Sequence, residues 1–599
     1  MRHVMLRPVL IFGVLAATAH AQATTASDDE VVAWFLKARV AKAHGDLSLA
    51  EAYYGRVTQA RPDLAEARSN LGVVHYLQGR CSDAVSQFQQ ALRLKPELDV
   101  PLLFSGFCYE KMHQYGKAVA ILERALGKRP DQSETFLHLG LSYTGLGREE
   151  RANEWFERFV ASNPKDPQGL YQLGGSYLRL ASGQVEQSYA DRFIFARAQA
   201  EIGELLSRSG PTLRARYEEA ISLQPSYPAL HWRLARLLLR DGDVPHAQAA
   251  LAQELALQPG FVPALILMAD LQHKSGEESG ERKTLARVGT LAQSIPQDDQ
   301  ELASLAQAQP DRAVLLLDVI LEMSESPMKS VAETGNWLSA DKLDRTLETI
   351  WKRLQSHPRE DWPLEVYARA RMTRGETRLL RGQLELLFKQ DPAWGMPHYV
   401  LAGIYQKLSL DTYTRMAEVD LRSFWTLLLK AETLEYPHPD SDVEEAYRDA
   451  SRERPGAVGI HLRLGQLLLK KHQAADAIAE FEQELATDLY NNSARASLGE
   501  AYVEQRQLEK AIPLLLRAID EDAKTPSAYL VLARAYLMQE RPLAAAATMF
   551  ERALKLAPEN VNAHYQLAQT YQELGREGEA AREFATVKRL RAQGRAPRQ

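Results

Sequence analysis

The sequence predicts an all-α chain, a right-handed solenoid of stacked helix-turn-helix repeats. Three observations predict it. Leu, Ala, Glu, Gln and Arg dominate the 599 residues, and these are strong helix formers. Apolar residues at 45% and charged residues at 25% supply enough burial to offset ordering entropy, which sets disorder aside. Small residues and prolines recur every 34 positions, the mark of a repeat architecture.

The period is carried by four residue types in one phase. Pro62, Pro96, Pro130 and Pro164 share it, as do Gly72, Gly106, Gly140 and Gly174. So do Ala50, Ala84, Ala118 and Ala152, and Tyr109, Tyr143 and Tyr177. Proline lacks an amide hydrogen and clashes with the preceding turn, so it ends one helix and can open the next. Glycine inside a helix costs roughly 1 kcal/mol relative to Ala. Its recurrence makes sense where a neighbouring helix needs the space. Alanine 12 residues later does the same on the second helix, and the aromatic three residues after the glycine fills the adjoining gap.

Each unit is thus an antiparallel helix pair. In the second, Leu71, Gly72, His75 and Tyr76 lie on the first helix, Gln78-Gly79-Arg80 form the turn, and Ala84, Phe88 and Ala91 lie on the second. Leu139-Gly140, Tyr143, Ala152, Phe156 and Pro164 repeat the set. This order of small and large positions resembles the tetratricopeptide repeat. The phase returns at Leu234-Ala235 and Ala247, at Leu464-Gly465, Ala477 and Phe481, and at Leu498-Gly499, Tyr502 and Ala511. It ends with Ala533, Tyr536 and Phe550, then Leu567-Ala568, Tyr571, Ala580 and Phe584.

The expected organisation is a signal peptide at 1–21, a flexible segment at 22–30, an N-terminal array at 31–296, degenerate helical repeats at 297–394, a C-terminal array at 395–592 and a basic tail at 593–599. The centre keeps helical spacing in Ala313-Leu317-Ile320 and Leu380-Leu384-Leu387, with Pro327, Pro358 and Pro392 at helix-length intervals. A separate small domain is the other reading of it. A longer symmetry overlies the repeat. Tyr171, Tyr177 and Leu180 match Tyr399, Tyr405 and Leu408 at an offset of 228. Tyr217, Ala220, Pro225, His231, Arg233 and Leu234 match Tyr447, Ala450, Pro455, His461, Arg463 and Leu464 at 230. Two arms, each with one local irregularity, would produce this pattern, and so would ordinary repeat similarity.

Arg2 and Arg7 precede the apolar run Val9 to Ala17, and Ala19-His20-Ala21 fits a small-x-small cleavage site. The segment reads as a secretory signal cut after Ala21, with an uncleaved anchor as the other reading. Gln22 rather than Cys follows the cut, so nothing supports a lipoprotein. The chain is expected to be exported, periplasmic or secreted, with no transmembrane segment after cleavage. The mature chain carries 70 basic against 78 acidic residues, a net −8. That mild acidity argues against nucleic acid as a partner.

Stacked hairpins wind into a concave surface, and the family resemblance implies that the first helices line it. Phe35 and Arg39, Ser69 and Val73, Leu103 and Phe107, and Leu137 and Leu141 take the inward positions. They would offer an apolar groove to a partner helix or extended peptide. The same side chains could instead pack inside the stack. Some members of the family clamp a peptide carboxylate with paired Lys and Asn; here Asn70 stands alone.

No constellation points to chemistry. The chain has no phosphate-cradling glycine loop with Lys, no paired-His zinc motif and no Cys-x-x-Cys. His75, His138, His231, His461 and His564 fall on first helices and read as packed or surface imidazoles. His438, Asp440, Asp442, Glu444 and Glu445 are the densest acidic cluster, and they read as helix N-terminal carboxylates rather than a metal site. No cofactor, no metal and no catalytic residue is expected. Cys81 opens a second helix and Cys108 lies late in the next first helix, so a disulfide stays open. The expected function is a non-enzymatic scaffold binding other proteins. The alternatives are a structural subunit of a cell-envelope assembly, and an enzyme whose catalytic domain is 297–394.

Overall fold

The computed structural model describes residues 27–188, 191, 194, 196–197, 211–293, 299–309, 313–314, 316–317, 343–357, 359–435, 441–521, 525–539 and 542–595. The expected signal peptide, most of the 22–30 segment, Ile320, Pro327, Pro358, His438 and Asp440 lie outside the described residues. Among those residues there are 29 helices and no strand. The chain divides into two compact units, residues 1–146 and 147–599, and each is taken by itself.

The first unit is built of hairpins at the spacing the 34-residue period predicts. Its helices are Asp28–Ala43 with Leu47–Ala60, Ala65–Leu77 with Cys81–Leu94, Asp99–Lys111 with Tyr115–Lys128, and Ser133–Gly145. Residues 28–30 already belong to the first helix, because Ser27 and Glu30 form a reciprocal capping box. The Glu30 amide donates to Ser27 Oγ at 3.3 Å and the Ser27 amide to Glu30 Oε2 at 2.9 Å. This satisfies amides that a helix start leaves unpaired. Helix therefore replaces the flexible chain expected at the end of 22–30.

The period now has physical content. Ala50, Ala84 and Ala118 have no exposed surface. A Cβ on Gly72 would stand 2.5 Å from Phe88 Cε1, and one on Gly106 2.4 Å from Leu122 Cδ2. The second helix occupies the space those glycines vacate. Gly45 and Gly79 turn the first two hairpins at φ of 79° and 76°, and His113 takes the same turn position at 58°.

The second unit departs from a simple stack. Two long helices, Pro167–Ser188 and Gly395–Val419, make the most extensive helix–helix contact among the described residues. They draw residues from both expected arrays, and the centre between them, into one body. The pairing is antiparallel. Tyr171 lies near Tyr413, Ser409 Oγ donates to the Gly174 carbonyl at 2.9 Å, Tyr177 stacks on Tyr405 at 6.1 Å, and His398 reaches Gln184 at 2.7 Å. Tyr177 and Tyr405 are themselves matched at offset 228, so the crossing has a local pseudo-twofold centre. Gly174, in phase with Gly72 and Gly106, faces the other long helix: its Cβ would stand 2.4 Å from Tyr413 Cε1.

The matched segments downstream also share a construction. Helix Leu230–Arg240 follows Ala229 at φ 66°, and Ile460–Lys470 follows Gly459 at φ 92°. Neither start has a side-chain cap of its own. Buried Glu254 accepts from the Ala229 and Trp232 amides, and buried Glu484 from those of Gly459 and Leu462. A carboxylate there meets both the orphan donors and the positive end of the helix dipole.

One matched pair is tuned oppositely. His461 Nδ1 meets Glu480 at 2.7 Å and Nε2 meets the Pro455 carbonyl at 3.0 Å. The Glu480 bond, followed by opposing burial and then the carbonyl, raises its pKa on balance. His231 has Ala250 where His461 has Glu480, and burial lowers its pKa. By NMR titration His461 should titrate above, and His231 below, the ordinary value of about 6.5. A group whose folded pKa is raised stabilises fully below its unfolded value. The His461 contribution is therefore present below about pH 6.5 and is lost as pH rises through the raised value. An inverted order of the two titrations would contradict the geometry.

The described centre consists of helices Asp299–Ala308, Asp344–Ser356, Asp361–Thr373 and Thr377–Gln390. Leu380, Leu384 and Leu387 are buried on one face, as their spacing predicts. In the C-terminal hairpins the glycine device returns, with Gly465 against Phe481 at 2.5 Å and Gly499 against Leu515 at 2.7 Å. The last helix, Glu577–Arg595, runs into the stretch expected as a tail.

Candidate partner-binding interface

Hydrogen bonds between successive hairpins set the register of the first helices. The Tyr143 hydroxyl donates to Glu123 Oε1 at 2.7 Å in the first unit. In the second unit Tyr177 donates to Glu157 at 2.9 Å, Tyr502 to Glu482 at 2.9 Å and Tyr571 to Glu551 at 2.8 Å. Gln89 Nε2 donates to Tyr109 at 3.1 Å. Every partner lies 20 residues before its tyrosine, on the preceding second helix. Gln89, Glu123 and Glu157 are themselves 34 apart, a signal present in the sequence but overlooked beside the glycines and prolines. Burial first, then the Glu551 contact, pushes the Tyr571 hydroxyl above its ordinary range. It therefore stays a donor at neutral pH.

The eight expected groove residues all fall in the first unit, and the structure separates them. Arg39 is exposed; Phe35, Val73, Leu137 and Leu141 are half-buried. Ser69, Leu103 and Phe107 are buried. Phe35 packs edge-on against Tyr54 at 5.5 Å. The His138 imidazole lies 3.9 Å over Phe107 and hydrogen-bonds Glu110 at 3.1 Å. Lys111 stands 4.7 Å over the Tyr76 ring, and that ring meets Phe104 at 5.0 Å.

This surface therefore carries the polar and aromatic groups of Tyr76, Glu110, Lys111 and His138 beside half-buried Phe35, Val73, Leu137 and Leu141, with Leu103 and Phe107 beneath it. Tyr76, Glu110 and Lys111 lie three or four residues beyond Val73 and Phe107, one turn further along the same helices. Asn70 does not stand alone. Lys42 donates to its Oδ1 at 3.1 Å from the preceding first helix. Burial first, then Arg39, lowers the Lys42 pKa.

In the second unit a cavity of about 30 Å³ opens between Arg197, Trp232, Arg233, Trp362, Glu365 and Arg369. That is room for two or three waters or one carboxylate group. Arg197 is 1% exposed. It donates to both Glu365 oxygens at 2.8 and 2.6 Å and to the Tyr227 hydroxyl at 2.7 Å. Tyr227 in turn donates to Glu365 at 2.6 Å.

Among the described residues no group of three His, Cys, Asp or Glu is placed to hold a metal. Glu444 instead pairs with Lys471 at 2.9 Å and Arg448 at 3.0 Å. No described helix is long and apolar enough to cross a membrane. Cys81 and Cys108 are both buried thiols.

The tetratricopeptide-repeat profile matches residues 35–99, 109–167 and 497–549, and a second profile of that repeat matches 536–597. No curated protein matches the chain. Among solved structures, the APC/C hetero-tetramer Cut9-Hcn1 is 15% identical over 90% of this chain and 96% of its own, with a TM-score of 0.26. MamA from Desulfovibrio magneticus RS-1 is 19% identical over 28% and 96%, with a TM-score of 0.26. PilW, a type IV pilus biogenesis factor, is 18% identical over 35% and 92%, with a TM-score of 0.28.

Proposed function

We propose that this chain, which belongs to the tetratricopeptide-repeat family, is an exported scaffold. It holds partner proteins on the first-helix surface of the first unit, between Asp28 and Gly145. Stacked hairpins of this kind offer extended binding surfaces. The observation that carries the reading is the row of Tyr76, Glu110, Lys111 and His138. These groups stand on rigid helices and leave polar and aromatic surface available to a partner. Tyrosine and a paired cation of this sort suit an extended peptide, binding by stacking and hydrogen bonds rather than by apolar area alone. Export rests on the basic start, apolar run and Ala19-His20-Ala21.

Two measurements test this. N-terminal sequencing of the exported protein should return a chain starting at Gln22; a start at Met1 refutes cleavage. Affinity capture from the exported fraction should retain a defined partner, and Lys111→Glu with His138→Ala should reduce its retention about tenfold, the loss of ~1.4 kcal/mol. Equal retention by a variant with wild-type circular dichroism would remove this surface from the binding site.

A further inference from the structure

We propose that Cys81 and Cys108 close an intramolecular disulfide that staples the second hairpin of the first unit to the third, formed before the sulfurs are buried. They are the two cysteines of the whole chain. Cys81 is the first residue of helix Cys81–Leu94, and Cys108 lies on helix Asp99–Lys111, which packs against it. Cys81 stands just after the turn of its hairpin, and Cys108 stands one helical turn before the corresponding turn of the next, so both lie at the same end of neighbouring hairpins. The two thiols are 1% and 0% exposed, on helices packed directly against each other. Burial first, then the charges the two cysteines would carry, pushes the Tyr76 hydroxyl up to about 12.

Proximity makes the bond geometrically accessible, and burial dictates when it forms. The attacking species is a thiolate. The hydrogen bond to Cys81, then burial, raises the Cys108 thiol far above the ordinary range, against the pull of Lys111. Once folded, the reduced pair is inert. While the hairpins are apart, the Cys81 thiolate attacks a small-molecule disulfide such as oxidised glutathione. One glutathione thiolate leaves and a mixed disulfide remains. The Cys108 thiolate then attacks the Cys81 sulfur and expels the second glutathione. Two electrons pass from the protein thiols to glutathione, and the two protein protons end on the expelled thiols or in solvent. The exported reading bears only on which compartment supplies the oxidant; the chemistry is tested without it.

The full chain, reduced and denatured, is refolded by dilution into a glutathione redox buffer, quenched in acid and alkylated under denaturing conditions. The expected product is a monomer with no reactive thiol and a peptide joining Cys81 to Cys108. Its unfolding midpoint lies about 5–10 °C above that of the reduced chain. Cys81→Ser, treated alike, should yield a single thiol or a single glutathione adduct. Two thiols, two glutathione adducts or disulfide-linked dimers from the wild type would overturn the bond. The same buffer applied to the folded, reduced chain should oxidise it at least about 100-fold more slowly, since neither thiolate is exposed. Equal rates would overturn the order of events.

Discussion

Replacing Glu365 with Ala is expected to lower the stability of the second unit by about 3–5 kcal/mol, the cost of stranding a buried charge. Arg197 has almost no access to water, and Glu365 takes both arms of its guanidinium. Arg233 adds a weaker contact at 3.7 Å, and the Tyr227 and Tyr399 rings flank the Arg197 cation at 5.1 and 5.0 Å. Truncation takes away the carboxylate that receives both arms of that cation and leaves it the tyrosine hydroxyl and the weaker attraction of the Asp361 carboxyl. Removing both ends, as in Arg197→Met with Glu365→Leu, should recover most of the loss, because well-packed apolar residues often replace a buried pair without penalty. Denaturant titrations of the two variants and the wild type decide it. A single variant within about 1 kcal/mol of wild type would show that the pair does not hold this region together.

The same pair predicts an acid limb. Burial alone would raise the Glu365 carboxyl, but Arg197, then Arg233 and the Tyr227 hydroxyl, outweigh it and hold the group well below its ordinary range. A depressed folded pKa gives stability that is present above the unfolded value of about 4.3 and is lost as pH falls through the folded one. Glu365→Gln should flatten that limb between about pH 4.5 and 2.

Gly72→Val should lower the stability of the first unit by about 1–3 kcal/mol. Valine is the better helix former by a few tenths, so propensity predicts a small gain. Overlap with Phe88 decides otherwise: the ring lies 2.5 Å from the added Cβ and is fully buried. Gly55 provides the opposite case. It lies within helix Leu47–Ala60, with nothing within 4 Å of its would-be Cβ. Gly55→Ala should therefore stabilise by about 0.5–1 kcal/mol. Thermal melts of the two variants should move in opposite directions, and a common sign would undo the argument that space, not turn chemistry, keeps Gly72.

Most of the hairpin was legible because its causes are local and periodic. Ala84, Phe88 and Gly72 meet within one 34-residue unit, so their phase in the sequence is their phase in space. The surface was less legible. The i, i+4 spacing that selected Leu103 and Phe107 cannot distinguish a helix face turned to solvent from one covered by its neighbour. In the folded unit the His138 imidazole covers Phe107 on that face. The Tyr–Glu contacts recur at a fixed separation of 20, yet a glutamate on a helix surface looks like any solvated charge until its partner is known.

The sequence by itself determined the repeat, the positions of its turns and the small residues where two helices approach, since each follows from steric rules acting over a few turns of chain. Only the tertiary structure decided that Pro167–Ser188 lies across Gly395–Val419, that Gly174 serves this crossing, and that Arg197 finds Glu365. These contacts join residues more than 160 positions apart, where no local periodicity survives. What selects them is which apolar faces and buried charges remain unsatisfied after every hairpin has closed on its neighbour.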